Sequence, residues 1–212
     1  MKLDIGAGGL GVSSGTEQKG DINFDIYPYS GIDVVGDARY LPFKDESFDE
    51  ISSWHLLEHF WEDEIPTVLQ EWIRVLKYNG IFEIKVPNIK SVPIFVNFYL
   101  DLMGLGLIYG DKTGQRLEML HKICFSSHSL EKYLRDANIV VIKYEPFYEI
   151  EDSWYNIFCN QVTKKYPLLS REIHFWGIKT EKAKKYKWLC KEDNYLEGVD
   201  MFIELTKNRS NT

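Results

Sequence analysis

The run Leu3-Asp4-Ile5-Gly6-Ala7-Gly8-Gly9-Leu10-Gly11 joins an apolar stretch to a Gly-x-Gly-x-x-Gly spacing. Residues without side chains let backbone N–H groups approach a ligand closely, and an apolar run leading into them reads as a buried strand ending in a tight turn. Two ligands compete for such a turn, a dinucleotide and S-adenosylmethionine. The dinucleotide fingerprint also wants an acid roughly 20 residues on, which Asp25 supplies. Asp4 favours the other ligand: it lies at the strand end, where a carboxylate holds a cationic amino group, and NAD has no such group there. Asp25 ends a second apolar-polar alternation and can accept from both ribose hydroxyls, with turn chemistry ahead of Tyr27-Pro28 as the plainer use. Asp37, followed by the small Ala38, suits an adenine edge: the carboxylate accepts from the exocyclic amine and the next N–H donates to a ring nitrogen. His55-Leu56-Leu57-Glu58-His59, and His121 and His128 around Cys124-Phe125-Ser126, supply imidazoles for proton transfer.

The elements that must carry these residues follow from periodicity. Residues 21–26 and 32–37 read as strands two and three, and 47–55 as a fourth entered from a turn. Residues 12–19 contain Ser13, Ser14 and Gly15 and make a poor helix, so the first crossover is short or irregular. Ile65, Leu69, Trp72 and Leu76 fall on one helical face, which Asn79-Gly80 would close as a left-handed cap. Residues 81–86 follow as strand five, 129–135 as a helix, 139–144 as strand six and 201–205 as the last strand.

Composition narrows the class. A chain of 212 residues suits one domain around one core, and its 44% hydrophobic and 27% charged residues are ordinary for a globular protein. Met1-Lys2-Leu3 opens straight into the first strand without a basic leader and apolar segment, which implies a cytoplasmic location. The apolar run 92–109 is interrupted by Pro93, Asn97, Asp101, Gly104 and Gly106 and falls short of the roughly 20 residues a membrane span needs. Cys124, Cys159 and Cys190 form no C-x-x-C pair, so neither a disulfide framework nor a zinc site of that kind is indicated. The net charge of −7 argues against a general polyanion binder. It is uneven: residues 164–191 hold nine Lys/Arg against two acids, a solvated face or a surface for an anionic substrate or membrane.

Taken together, the segments resemble a class I S-adenosylmethionine-dependent methyltransferase of the compact, methyltransferase-domain-11-like kind. The likeness rests on Leu3-Asp4-Ile5-Gly6-Ala7-Gly8, Asp25, Gly36-Asp37-Ala38-Arg39-Tyr40-Leu41-Pro42-Phe43, Ser47-Phe48-Asp49, His55-Leu56-Leu57-Glu58-His59-Phe60 and Arg74-Val75-Leu76-Lys77-Tyr78-Asn79-Gly80, spanning residues 3–88. It implies a Rossmann-like α/β fold: a seven-stranded, mostly parallel sheet with an antiparallel last strand and helices on both faces. S-adenosyl-L-methionine is the implied cofactor, with Asp4, Gly6, Ala7, Gly8, Asp25, Ile26, Asp37, Ala38, Ser53 and Trp54 as its expected contacts. Within a single domain, 1–88 form the donor-binding half, 89–120 an insert or lid, 121–150 a helix and strand six, 151–200 an aromatic, lysine-rich cap, and 201–208 the last strand.

Relatives usually carry helices before the first strand; here either the chain is truncated or the cover comes from elsewhere, the insert, the C-terminal cap or a partner, with insert and cap the candidates for lid and substrate pocket. The resemblance sets His55 at the end of strand four beside the sulfonium, as a candidate base, with His121 as the second. His55-Leu56-Leu57-Glu58-His59 is similar to the acid-x-x-Glu-His arrangement that binds a divalent metal in some ubiquinone-pathway O-methyltransferases, but His replaces the first acid and no metal is expected. The Asp/Asn-Pro-Pro-Tyr/Phe signature of nucleic-acid amino methyltransferases is absent, the comparable place reading Ser53-Trp54-His55. The expected acceptor is a small molecule, a sugar or a lipid-linked metabolite, not nucleic acid, and Trp154, Tyr155, Phe158, Phe175 and Trp176 wall its pocket or form core. The alternatives are an inactive S-adenosylmethionine-binding partner subunit and, remotely, an NAD-dependent oxidoreductase. Peripheral membrane contact and oligomeric state stay open.

Overall fold

A computed structural model of the chain describes residues 1–8, 20–91, 120–146, 154–170 and 172–190. Strands β1 (Lys2–Ile5), β2 (Ile22–Asp25), β3 (Val34–Val35), β4 (Phe48–Trp54), β5 (Leu76–Pro87), β6 (Ile139–Tyr144) and β7 (Glu172–Lys179) form one seven-stranded sheet in the order β3-β2-β1-β4-β5-β7-β6. The first five run parallel, and β7 is antiparallel to both β5 and β6. Strand order reverses direction between β1 and β4, and the carboxyl ends at such a switch are where open α/β sheets bind ligands.

The antiparallel strand is Glu172–Lys179, inside the stretch expected to be a cap, whereas residues 201–205 lie outside the described residues. Its alternation is sound: Ile173 and Phe175 are fully buried and point to the core, while Glu172, His174 and Trp176 face the other way. Aromatics and lysines hid that period. At Gly177 a Cβ would come within 2.3 Å of the Ile139 side chain, so β7 needs a residue without one to lie against β6. The turn after β1 past Gly8, the first crossover, most of the insert and residues 191–212 also lie outside the described residues.

The two faces of the sheet differ sharply. Leu3, Ile5, Phe24, Ile51, Phe82, Ile84, Val86, Ile173 and Phe175 all point to one side and are fully buried. Helices α1 (Ile65–Val75) and α2 (Ser127–Asp136) cover that side, contributing Leu69, Trp72, Leu130 and Leu134 to a continuous core. The opposite side carries Lys2, Asp4, Ser52, Trp54, Glu83, Lys85, His174 and Trp176, which pair with one another. Ser52 Oγ donates to Asp4 at 2.9 Å, Lys2 bridges Glu50 and Glu83 at 2.7 and 3.3 Å, and His174 Nε2 lies 2.8 Å from Glu83. Parallel strands usually read as continuous apolar runs because both faces are dry; the alternation in β1, β4 and β5 records this polar second face.

Helix α1 ends at Val75, short of the expected cap at Asn79-Gly80. The N–H groups of Glu46 and Ser47 donate to the Arg74 and Val75 carbonyls at 3.0 and 2.8 Å, and Leu76 already pairs with Phe48 as the first residue of β5. Asn79 does take a left-handed φ of 59°, within the strand's irregular start. Helix α2 begins at a reciprocal box in which Ser126 and Ser129 each satisfy the other's N–H. Its buried Glu131 and Arg135 form a pair at 3.0 Å that reaches outward: Arg135 donates to the carbonyls of Ala183, Tyr186 and Lys187, and Glu131 accepts from the Leu189 and Cys190 amides. That pair holds the lysine-rich segment against the domain. A third helix, α3 (Trp154–Lys165), precedes β7.

Candidate active site

The glycine turn forms at the carboxyl end of β1. Gly6 and Gly8 have φ of 75° and 65°, a region that other residues enter at a cost. At Gly6 the crowding is direct as well, because a Cβ would sit 2.8 Å from the Leu56 side chain. The amides of Gly6 and Ala7 donate to the Phe24 carbonyl at 2.8 and 3.1 Å, and Ala7 is fully buried beneath the turn. Asp25 ends β2 and completes the link: its carboxylate accepts from the Gly8 N–H and the Tyr27 N–H, each at 2.9 Å. A carboxylate has about four lone-pair positions, so two remain for ribose hydroxyls. Ile26 beside it is 54% exposed, an apolar surface next to the turn.

Asp37 is differently placed. Its carboxylate is gripped by Arg39, with contacts of 2.6 to 3.0 Å from the guanidinium and 2.9 Å from the Arg39 N–H. Those hydrogen bonds hold its pKa below the ordinary carboxylate range. The other arm of Arg39 bridges to Glu64 at 2.9 Å. Ala38 is fixed from below, since its carbonyl accepts from Trp72 Nε1 at 2.8 Å. Asp4 lies on the polar face, 6% exposed. Ser53 and Trp54 end β4: the buried Ser53 Oγ has no hydrogen-bond partner, and Trp54 Nε1 donates to Glu83 at 3.3 Å. The sheet thus brings Asp4, Gly6, Ala7, Gly8, Asp25, Ser53 and Trp54 to adjacent strand ends, with Asp37 and Ala38 beyond β3. A glycine turn beside a carboxylate with spare acceptor positions and an unsatisfied buried hydroxyl fits a ribose-bearing ligand with a polar tail.

His55 follows β4 with φ 52°, its N–H donating to the Lys85 carbonyl at 2.8 Å. Its ring lies between two carboxylates, Nδ1 at 3.4 Å from Glu58 and Nε2 at 3.4 Å from Glu172. Burial works against a charge there, but the two carboxylates outweigh it and raise His55 to about 9. Glu172 is correspondingly lowered to about 2 by His55 and by Lys85, which reaches it at 2.5 Å, although burial opposes this. The raised value favours the protonated ring, in which both nitrogens are N–H donors. His121 reaches the cluster through Glu58, at 3.8 Å, and its ring meets His59 edge to face with centroids 4.9 Å apart.

Sequence reasoning missed Glu172 and Lys85 at this site, because both come from strands whose register was not legible. Of the expected pocket aromatics, Phe175 is fully buried core, and Trp176 lies against His174 with centroids 3.8 Å apart on the polar face. The side chains of Trp154, Tyr155 and Phe158 lie outside the described residues. Cys124 is exposed and Cys190 buried, both as free thiols.

Residues 3–84 match the family described as methyltransferase domain. No curated protein matches the chain. Among solved structures, it is similar to a chain of the complex between the Trm112 methyltransferase activator and a methyltransferase from Haloferax volcanii, at 19% identity and TM-score 0.54, covering 85% of this chain and 82% of that one. It is similar to a methyltransferase from Thermotoga maritima at 19% identity and TM-score 0.53, covering 84% and 82%. It also resembles the 1,6-didemethyltoxoflavin N1-methyltransferase of Burkholderia thailandensis, solved with that compound and S-adenosylhomocysteine bound, at 16% identity and TM-score 0.51, covering 85% and 71%. At these identities the likeness establishes the fold.

Proposed function

We propose that this chain, a class I S-adenosylmethionine-dependent methyltransferase by its family match and its fold, transfers the methyl group to a small-molecule, sugar or lipid-linked acceptor. The observation that carries the reading is the tie between Asp25 and the Gly8 N–H at 2.9 Å, which sets an acid with spare acceptor positions against a glycine turn at the sheet's switch point.

When bound, S-adenosylmethionine supplies a methyl carbon already activated by its sulfonium. The protein's share is positioning and exclusion of water. Asp4 and the Gly6–Gly8 turn would hold the amino acid end, Asp25 the ribose hydroxyls, and Ile26 and Ala38 the faces of the adenine. Asp37 would meet the adenine amine once Arg39 swings toward Glu64. Ser53 and Trp54 would line the floor below the sulfonium. His55, as a charged donor, would draw an acceptor's oxygen anion into line with the methyl, favouring acceptors that ionise by themselves. His121 would keep the Glu58 carboxylate in place. No described helix is long and apolar enough to cross a membrane, and the acceptor is taken to reach the site from water or a membrane surface.

Calorimetric titration with S-adenosylmethionine and S-adenosylhomocysteine, with NAD as control, tests the donor site. Micromolar binding of both adenosyl ligands, on the order of −8 kcal/mol, and none of NAD, is the expected result. Absence of binding by either adenosyl ligand, or preference for NAD, sinks the proposal.

A further inference from the structure

We propose that Glu58, His59 and His121 form a binding site for a divalent transition-metal ion of zinc-like preference. One ligand atom from each lies within 4.8 Å of the others. The spacing of the sequence motif would enlist His55 with Glu58 and His59. The fold sets the His55 ring between Glu58 and Glu172, 3.4 Å from each, and brings in His121 from the segment before α2.

Two independent observations point to a cation. Glu58 is 1% exposed, and neither of its carboxylate oxygens accepts a hydrogen bond. The nearest imidazole nitrogens stand at 3.4 and 3.8 Å from Oε1, too far for a well-formed bond. The charged His55 ring at 3.4 Å offsets only part of the cost of burying that carboxylate, and a metal–oxygen bond of about 2.0–2.2 Å relieves the rest. The second observation is the tautomer of His59. Its Nδ1 lies 3.2 Å from the Leu120 carbonyl, which can only accept, so Nδ1 carries a hydrogen and Nε2 is the nitrogen left to face a metal. A ligating histidine oriented by a carbonyl at its other nitrogen is the usual outer-shell arrangement of metal sites.

The backbone fixes the set in advance. The N–H groups of Lys122 and Ile123 donate to the Glu58 carbonyl at 2.8 and 3.4 Å, joining the His121 segment to the turn that carries Glu58 and His59. Two imidazoles and one carboxylate are a donor set that zinc takes with a fourth position open to water or a ligand atom, whereas magnesium and calcium prefer all-oxygen shells. Occupancy of this site does not rest on the methyl-transfer reading.

The test uses the full chain, dialysed against a chelator and titrated calorimetrically with zinc chloride, with magnesium chloride in parallel. The inference expects one zinc per chain at micromolar or tighter affinity, no comparable magnesium binding, and at least about tenfold weakening in both His121→Ala and Glu58→Gln. Cobalt(II) titration of the unmodified chain adds a readout independent of variant folding: intense visible absorption of a four-coordinate site supports it, and the weak spectrum of the hydrated ion overturns it. Failure of the unmodified chain to bind zinc, or unchanged affinity in a folded His121→Ala variant, also overturns it. S-adenosylhomocysteine binding measured on the same samples keeps the two readings apart, since its loss with zinc binding retained counts only against the donor site.

Discussion

His55 Nε2 stands 3.4 Å from Glu172 Oε1, and through that carboxylate the residue after β4 is linked to Lys85 on β5 and to the first residue of β7. The carboxylate is thus shared between two cationic partners at the carboxyl end of the parallel strands.

Replacing Glu172 with Gln removes the counter-charge from both Lys85 and His55 while keeping the shape. We expect a loss of roughly 3 kcal/mol of stability in urea denaturation, because breaking a mostly buried pair strands the remaining charges. Glu172→Gln combined with Lys85→Met recovers part of that loss; a strictly additive double variant would show that Lys85 and Glu172 are not coupled.

Arg39 competes with adenine for Asp37 in the proposed donor site. Arg39→Ala is therefore expected to strengthen S-adenosylhomocysteine binding by about threefold to tenfold, roughly 1 kcal/mol, whereas Asp37→Ala weakens it by more than about tenfold. Calorimetry decides, and an Arg39→Ala variant that binds more weakly would assign Arg39 to the ligand instead.

Acid stability hinges on the polar sheet face. Burial works against the charge on Glu83, but His174 and Lys2 outweigh it and hold its carboxyl at about 2, below the ordinary 4.5. A carboxylate with a depressed value contributes stability that is complete above about pH 4.5 and lost as pH falls through about 2. Glu83→Gln is thus expected to cost on the order of 2 kcal/mol at neutral pH and to flatten the stability profile between those limits, as read from urea midpoints against pH. An unchanged profile would mean the unfolded chain shares the same interactions.

Arg135→Ala removes the donor that meets three carbonyls of the lysine-rich segment and leaves the buried Glu131 charge with only the Leu189 and Cys190 amides. The expected cost is about 3–5 kcal/mol, with early proteolysis between residues 183 and 190. Retention of protease resistance there would show that other contacts hold the segment.

The fold was largely legible because its strongest signals are local. The glycine spacing, the Ile65-to-Trp72 face, the Asp25 strand end and the 139–144 strand depend on neighbours within a few residues. What stayed hidden depends on partners far along the chain. The helix over 129–135 was legible, but not the role of Glu131 and Arg135, which appears only once residues 183–190 fold over them, and nothing local to His55 announced Glu172 from β7 beside it. The strand at 172–179 went unread because an alternation of Glu, Ile, His, Phe, Trp and Gly resembles a pocket lining as much as a strand. At the candidate site, composition showed the histidines, but only tertiary contact pairs His121 with Glu58.

The φ of 52° at His55 bears on how that position can be dissected. Alanine there would change two things together, removing the imidazole and placing a side chain poorly suited to left-handed backbone. Asparagine tolerates that conformation well, and glycine enters it freely. His55→Asn therefore isolates the chemistry of the ring, His55→Gly isolates the geometry of the bend, and the difference between them separates what the residue does from how the chain turns.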